Sequence, residues 1–372
     1  MKEVKIKDIC TKGSSNLKQK DVEGRNGLFP VYGASGLIGH IDYYEQENPY
    51  IALVKDGSIG KLMRLPAQSS CIGTIQYIYP CNNINLNYLF YCLSTINFQE
   101  YKRGASIPHI YFKDYGERIV NIEEDVNQQK RIVQKLDELY DQIETAIKNA
   151  KLESQEAERL FSKALNEYFN ITDSSHSVTI ESIADVKSGY SFKSQLFAKN
   201  GDYQVIRMGN VRPGFLRLNE SPVYVSNLDE ETIEKSLLVE GDIIITQTGT
   251  RGKRDYGYST LISDNNLLLN QRMAYIRPGN KVLSKYIMYY TWTEAFRDQF
   301  FAHEGGTVGQ GNVGMDAIRK STIVLPNIEK QSIIVSRLDK IRDNTNNIKN
   351  NCTDIIKQLK YLRVLLTQNC FK

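Results

Sequence analysis

Two glycine-rich segments hold the residues best equipped for chemistry. In the second half of the chain, Gln247-Thr248-Gly249-Thr250-Arg251-Gly252-Lys253-Arg254 sets three cations on one turn, and Gln271, Arg272 and Arg277 follow on the next predicted strand. Ahead of them, Arg207, Asn210 and Arg212 stand in a stretch rich in turn residues, 207–225. Arginine, lysine, glutamine and asparagine pair bidentately with base edges, each good pair discriminating by about 1–3 kcal/mol. Lysine and threonine suit phosphate oxygens. The chemistry on offer is recognition of a nucleic acid rather than bond-making. The same run also reads as a solvated charged loop, the common fate of such a turn.

The matching segment of the first half, Val54-Lys55-Asp56-Gly57-Ser58-Ile59-Gly60-Lys61, is less basic. Its candidates are Lys55, Ser58, Lys61 and the following Arg64, with Arg103 in Tyr101-Lys102-Arg103. The loop from Gly104 to Pro108 is expected to add phosphate contacts. If both halves bind DNA, they read different sequences.

Other chemistries fit poorly. A phosphate-binding P-loop needs GxxxxGK followed by Ser or Thr. Here the glycines are three apart, and Lys61 and Lys253 precede Leu62 and Arg254. Asn48-Pro49-Tyr50 lacks one proline of the NPPY loop of amino-methyltransferases and has no FxGxG-like loop before it, so it reads as a strand entry. No Ser-His-Asp, paired-carboxylate or metal-ligand arrangement stands out. The six cysteines form no CxxC and lie far from the four histidines, which argues against zinc. The chain starts without an apolar leader and has no run of 18 apolar residues, so the expectation is a reduced cytoplasmic compartment and no membrane span. A net charge of +4 permits nucleic-acid binding without demanding it.

These turns need a scaffold, and the sequence supplies it twice. The stretch from Gly104 to Leu139 aligns without a gap on Gly306 to Ile341, with Gln129 on Gln331 and Leu136-Asp137 on Leu338-Asp339. Further matches join the opening strands Val4 to Ile9 and Val178 to Ile183, then Tyr77-Ile78-Tyr79-Pro80 and Tyr275-Ile276-Arg277-Pro278. Last come the amphipathic helices around Tyr88 and Tyr286. Extra residues in the second half fall mostly before its glycine-rich turn. Each half ends in a heptad helix of roughly 40 residues, about 60 Å long. One seam runs Ile132, Leu136, Leu139, Ile143, Ala146 and Ala150, weakens at Ser154, and resumes through Ala157, Leu160 and Ala164. The other runs Ile334, Leu338, Ile341, Thr345, Ile348, Cys352, Ile355, Leu359, Leu362 and Leu366. Neither helix can bury its stripe alone, so the two are expected to form a coiled coil. Asn170 to Ser177 reads as the linker between halves, and each globular half is expected to hold short strands interrupted by one helix.

The duplicated order of these motifs resembles the specificity subunit of type I restriction–modification systems across nearly the whole chain. Pro30-Val31-Tyr32-Gly33-Ala34-Ser35-Gly36, Gly241-Asp242-Ile243-Ile244 before Thr248-Gly249-Thr250, and the helix entries at 122–136 and 325–338 carry the resemblance. It implies an α+β fold with an internal pseudo-two-fold repeat. Two similar target recognition domains, 1–126 and 171–328, would be joined by two long helices, 127–170 and 329–372, in an antiparallel coiled coil. It implies double-stranded DNA, read as a split site, and two docked adenine methyltransferase subunits carrying S-adenosylmethionine. Nuclease/translocase subunits would complete the complex. The chain itself would be non-catalytic, with no cofactor or metal of its own. Domains of that family vary at their reading surfaces, so the base contacts proposed above rest on residue chemistry alone. The alternatives are a fused restriction–modification enzyme and a coiled-coil scaffold with no nucleic-acid role.

Overall fold

The computed structural model describes residues 1–81, 83–170 and 177–372. Most of the expected linker, 171–176 with His176, lies outside the described residues. By packing, the chain divides into two compact units, residues 1–152 with 352–372 and residues 153–351. Each unit therefore takes one globular lobe and a share of both long helices, so the boundaries cut the helices instead of setting them apart.

The first lobe is built on the buried strand Tyr50–Val54, whose five side chains are all apolar. An uninterrupted apolar run of this length suits the middle of a sheet covered on both faces. It lies between Leu62–Leu65 and Ile75–Pro80, and Cys10–Ser14 adds the outer strand. A second small sheet pairs Phe29–Gly33 antiparallel with Gly36–Ile41 and parallel with Ser70–Cys71. The helix Leu86–Ser94, capped by Asn85 accepting from the Tyr88 amide, covers the first sheet. Only the start of the expected opening strand is extended. Lys2–Lys5 pairs with Ile119–Ile122, and Ile6–Ile9 then coils into one turn that buries Ile6 and Ile9 on the same side.

The second lobe repeats this plan. Ile243–Thr246 takes the place of Tyr50–Val54, and Tyr203–Ile206 lies parallel to Leu267–Leu269. Some of its extra residues fall where expected, in 207–225, where they form the hairpin Val211–Arg212 and Phe215–Leu216, and others follow around the helix Glu230–Ser236. Among the described residues, three helices join the expected one, Ser284–Thr291, in this lobe: Glu230–Ser236, Glu294–Phe301 and the short Met315–Arg319. Glu230–Ser236 is too short to show periodicity and is set by its Asp229 cap. Glu294–Phe301 follows the Thr293 cap and buries Phe296, Phe300 and Phe301.

The gapless alignment of the repeats does not survive. Val4 faces Val120 in the first lobe, whereas Val178 faces Ile323 in the second. The second copy has gained one residue in the loop before its closing strand and lost one at the helix entry. Both changes sit in turns, where length is cheaply altered.

The long helices Val126–Phe169 and Ile328–Asn369 are each clamped to a lobe by the same three contacts. Gln129, fully buried, accepts from the Asn85 amide at 2.7 Å and donates to the carbonyls of Asn83 and Glu123 at 3.1 and 2.8 Å. Gln331, also fully buried, accepts from Leu283 at 2.9 Å and donates to Lys281 and Pro326 at 3.1 and 2.8 Å. About two helical turns further along, the Tyr91 hydroxyl donates to Asp137 at 2.5 Å and the Tyr289 hydroxyl to Asp339 at 2.6 Å. Between these polar bonds, Leu136 and Leu338 fill the lobe cores. Burial, and the carboxylate each one faces, push both phenols well up, so they remain donors.

Within each unit the helices run antiparallel. In the first, Tyr140 bonds Thr367 while Glu144 pairs with Arg363 at 2.8 Å. In the second, Glu158 pairs with Lys349 at 2.7 Å and Arg342 at 3.0 Å, and the Arg342 guanidinium lies 4.8 Å over Phe161. Much of the expected seam is buried: Leu136, Ile143, Ala150, Ala157, Ile334, Leu338 and Cys352, with Ile132, Leu139, Ile341, Ile348 and Leu359 partly so. Three positions are corrected. Ile355 and Leu362 are 44% and 43% exposed and Leu160 is 51% exposed. The inward line passes instead through the half-buried Ile356, Leu359 and Arg363 to the buried Thr367, and through the buried Phe161 and Leu165. A straight helix of 3.6 residues per turn drifts about 20° per heptad against a 3.5-residue stripe, so a long strict alternation of threes and fours must slip by one residue.

Two outcomes follow from these contacts. Gln129→Leu or Gln331→Leu strands one buried amide and two carbonyls, so chemical denaturation should show a loss of at least about 1–3 kcal/mol, the cost of a single unsatisfied buried group. Burial works to raise the Glu158 carboxyl, but hydrogen bonds from Lys349 and Arg342 overrule it and hold its pKa below the ordinary value. A depressed carboxyl contributes stability above its unfolded pKa and loses it as pH falls through the folded one. Glu158→Gln should therefore lower the melting temperature at neutral pH and flatten its fall between about pH 5 and the acid limit.

Candidate nucleic-acid interface

The parallel strands Tyr203–Ile206 and Leu267–Leu269 end side by side, tied by the Asn270 amide donating to the Ile206 carbonyl at 3.1 Å. Their buried ends, Ile206 and Leu269, fix where the next residues emerge, which are Arg207 on one strand and Gln271-Arg272 on the other. Arg207, Asn210, Gln271 and Arg272 thus line one groove of about 550 Å³. A ridge, Met208-Gly209, separates it from a second groove of about 500 Å³ lined by Arg212, Thr248 and Tyr258.

The members of this set do different work. Asn210 is buried; it accepts from the Arg207 amide and donates to the carbonyls of Arg217 and Glu220, so it builds the ridge. Gln247 and Thr248 are buried too, donating to the Val313 carbonyl at 3.0 Å and to Asn312 at 3.3 Å. Gln271 and Arg272 are exposed. Arg272 holds a φ of +67°, with its carbonyl accepting from the Gln247 amide at 3.0 Å. A left-handed arginine is uncommon and marks a backbone held by its surroundings. Arg207 donates to the Ser221 carbonyl at 2.6 Å and Arg212 to that of Val211 at 2.7 Å.

The basic turn forms its own projection. Thr250 donates its amide to Asp255 at 2.7 Å, and hydrogen bonds from Thr250 hold that carboxyl below its usual range. Arg251 reaches the Gly306 carbonyl at 3.2 Å. Arg254, at φ +49°, pairs with Asp298 at 2.8 Å and lies 5.3 Å over Phe301. Lys253 is exposed and has no ion-pair partner among the described residues. Arg277, expected beside these, instead neutralises the fully buried Asp242 at 2.7 Å.

In the first lobe the candidates disperse. Lys55 contacts Ser14 at 3.3 Å and Lys61 the Ala34 carbonyl at 2.6 Å, and Ser58 is exposed. Arg103 pairs with Asp114 at 2.8 Å. Arg64 is held against the long helix by Asp137 at 3.0 Å and by the Phe90 ring at 4.9 Å. The Ile72 amide donates to Tyr32 as Asn270 does to Ile206, and Lys55 to Thr74 as Gln247 does to Arg272. The first-lobe counterparts of Arg207 and Gln271-Arg272 are therefore Gly33 and Gly73-Thr74. Sequence reasoning missed these positions and the Met208-Gly209 ridge, because only the parallel pairing brings them together.

The chain carries two copies of the type I restriction modification DNA specificity domain, matched at residues 1–154 and 173–358, and it belongs to that family. It is a type I restriction–modification specificity subunit, a protein of DNA sequence recognition. A putative type I restriction enzyme specificity subunit of Haemophilus influenzae is 23% identical over 92% of this chain and 88% of the relative. A solved chain from work on complex assembly and conformational transition of the type I R-M system superposes with a TM-score of 0.74 at 15% identity, covering 99% of this chain and 96% of that one. The HsdS subunit from Thermoanaerobacter tengcongensis gives 0.57 at 15% identity, covering 100% and 96%. Both likenesses are of fold. Among the described residues, no helix is long and apolar enough to cross a membrane, and no three His, Cys, Asp or Glu gather as a metal site would need.

Two substitutions test whether Arg272 reads a base and Lys253 contacts phosphate. Arg272→Ala should cost about 1–3 kcal/mol and relax selectivity at one base pair. Lys253→Ala should weaken all sequences alike and lower the log–log salt slope by about one. Competition binding against a panel of single-base variants at several salt concentrations reads both.

Proposed function

We propose that the chain reads a split duplex DNA site, one half with each lobe, and performs no catalysis itself. Methyl transfer, with its S-adenosylmethionine, belongs to two adenine methyltransferase subunits that dock on it, and nuclease/translocase subunits complete the complex. The observation that carries this reading is the repeated clamp. Each lobe grips a long helix through the same buried glutamine and the same tyrosine–aspartate bond, while the residues at matching strand ends, Gly33 and Gly73-Thr74 against Arg207 and Gln271-Arg272, differ in charge. A repeated scaffold under different reading surfaces suits two half-sites of different sequence. Two weak readers in one chain bind through effective concentration, so neither alone needs high affinity.

The exposed cations Arg272 and Lys253 support DNA as the ligand, since phosphate neutralisation supplies much of the grip on a duplex. Burial pushes the Cys10, Cys71 and Cys92 thiols up to about 12, which leaves them without thiolate at neutral pH.

The test is methylation of genomic DNA by the purified chain with and without its methyltransferase partner, followed by mapping of methylated adenines. The expected result is no methyl transfer by the chain alone and a two-part motif with a fixed gap when the partner is added. Transfer by the chain alone, or a continuous motif, would overturn the reading.

A further inference from the structure

We infer that each lobe carries an aliphatic wedge, Ile107 in the first and Val308 in the second, that enters the base stack of its half-site. The inference rests on the DNA-reading role proposed above.

The two residues sit on matching loops, though not at the same position along them: Ile107 precedes its anchor Ile110 more closely than Val308 precedes Val313. In the first lobe the Ile110 amide donates to the Lys55 carbonyl at 3.0 Å, and in the second the Val313 amide donates to Gln247 at 2.9 Å. The Asp56–His109 bridge corresponds to the pairing of Thr248 with Asn312. In both lobes a loop is thus laced by its backbone to the glycine-rich turn. Ile107 and Val308 stand at the two tips, 69% and fully exposed.

The loops reach this result by different routes. The first closes with Arg103 and His109 exchanging backbone bonds at 2.8 and 2.9 Å, and the Gly57 amide holds the Pro108 carbonyl at 2.9 Å. The second is a true hairpin, Glu304–Thr307 with Gln310–Val313. Gly306, at φ +113°, has no room for a side chain, since a Cβ there would lie 2.1 Å from the Gln310 carbonyl oxygen. The Arg251 guanidinium ties that hairpin to the basic turn through the Gly306 carbonyl.

Isolated surface aliphatics are ordinary. An exposed aliphatic at the tip of the matching loop in two lobes of different sequence, braced and beside cations, is not. Lys102 and Arg103 precede one tip, and Arg251 and Lys253 stand on the turn tied to the hairpin that carries the other. Phosphate contacts from these cations would aim the tip at the groove, and small aliphatics are the side chains that pry base steps apart. A wedge reads deformability rather than base edges, which adds selectivity where no hydrogen bond is made.

The experiment uses the full chain assembled with its methyltransferase partner. The probe is a duplex carrying the mapped split site, with 2-aminopurine replacing one adenine at a time except the methylated ones. The wild-type complex should brighten a probe in each half-site. Val308→Ser should abolish the signal in one half only and Ile107→Ser in the other, each with about tenfold weaker binding. Val308→Leu should keep both signals. If the serine variants bind and brighten as the wild type does, or weaken binding with the brightening intact, the wedge is wrong while DNA reading stands. If the wild-type complex shows no preference for the mapped site, the underlying reading fails instead.

Discussion

A buried amide holds this molecule together at two points. Gln129 and Gln331 each satisfy three backbone groups that the meeting of lobe and helix would otherwise leave without partners. Such a group is costly to bury alone, so the glutamine does more than add a bond. It makes the junction of polar helix entry and apolar core possible. The tyrosine–aspartate bond further along each helix fixes the rotation about the helix axis, and Leu136 and Leu338 fix its depth. A helix pinned in rotation and depth has one face left for its neighbour. Within each unit that face meets the other helix through Arg363 over Tyr140 and Arg342 over Phe161.

This division of labour explains why the lobes can share a scaffold and differ in surface. The clamp uses the helix side of each lobe. The candidate reading positions lie where two parallel strands end, at Gly33 and Gly73-Thr74 in one lobe and at Arg207 and Gln271-Arg272 in the other. Nothing in the clamp depends on the side chains at those ends. The hairpin Val211–Arg212 with Phe215–Leu216 enlarges the second surface at the same strand end, and Asn210 braces its start from inside. Arg64 marks where the two roles touch: a cation suited to phosphate is instead bound to the helix through Asp137.

Much of the plan could be read from the residues in order. The duplication, the place of the insertion, the heptad helices and the match of Gln129 with Gln331 are all patterns of residue type at short or repeated spacing, and such patterns reflect local geometry directly. Exposed candidates such as Lys253, Gln271 and Arg272 were legible for the same reason, since turn residues around them mark the surface. What stayed hidden was orientation. Gln247, Thr248 and Asn210 have side chains suited to bases, but in the fold Gln247 and Asn210 bond to backbone carbonyls and Thr248 to the Asn312 side chain. Ile355 and Leu362 satisfied the heptad yet face solvent, because the slow drift of a 3.6-residue helix is invisible over one or two turns.

The amino-acid order by itself determined the repeat, the element types and the membership of the family, because each depends on local periodicity or on similarity along the chain. The tertiary structure alone decided which polar side chains are free. That choice depends on long-range contacts, such as the backbone pairing of Ile206 with Asn270 and Gln247 with Val313, and the Asn85 amide donating to the Gln129 side chain. A residue's type states what it can bond, and only its neighbours in space decide which of those bonds are already made.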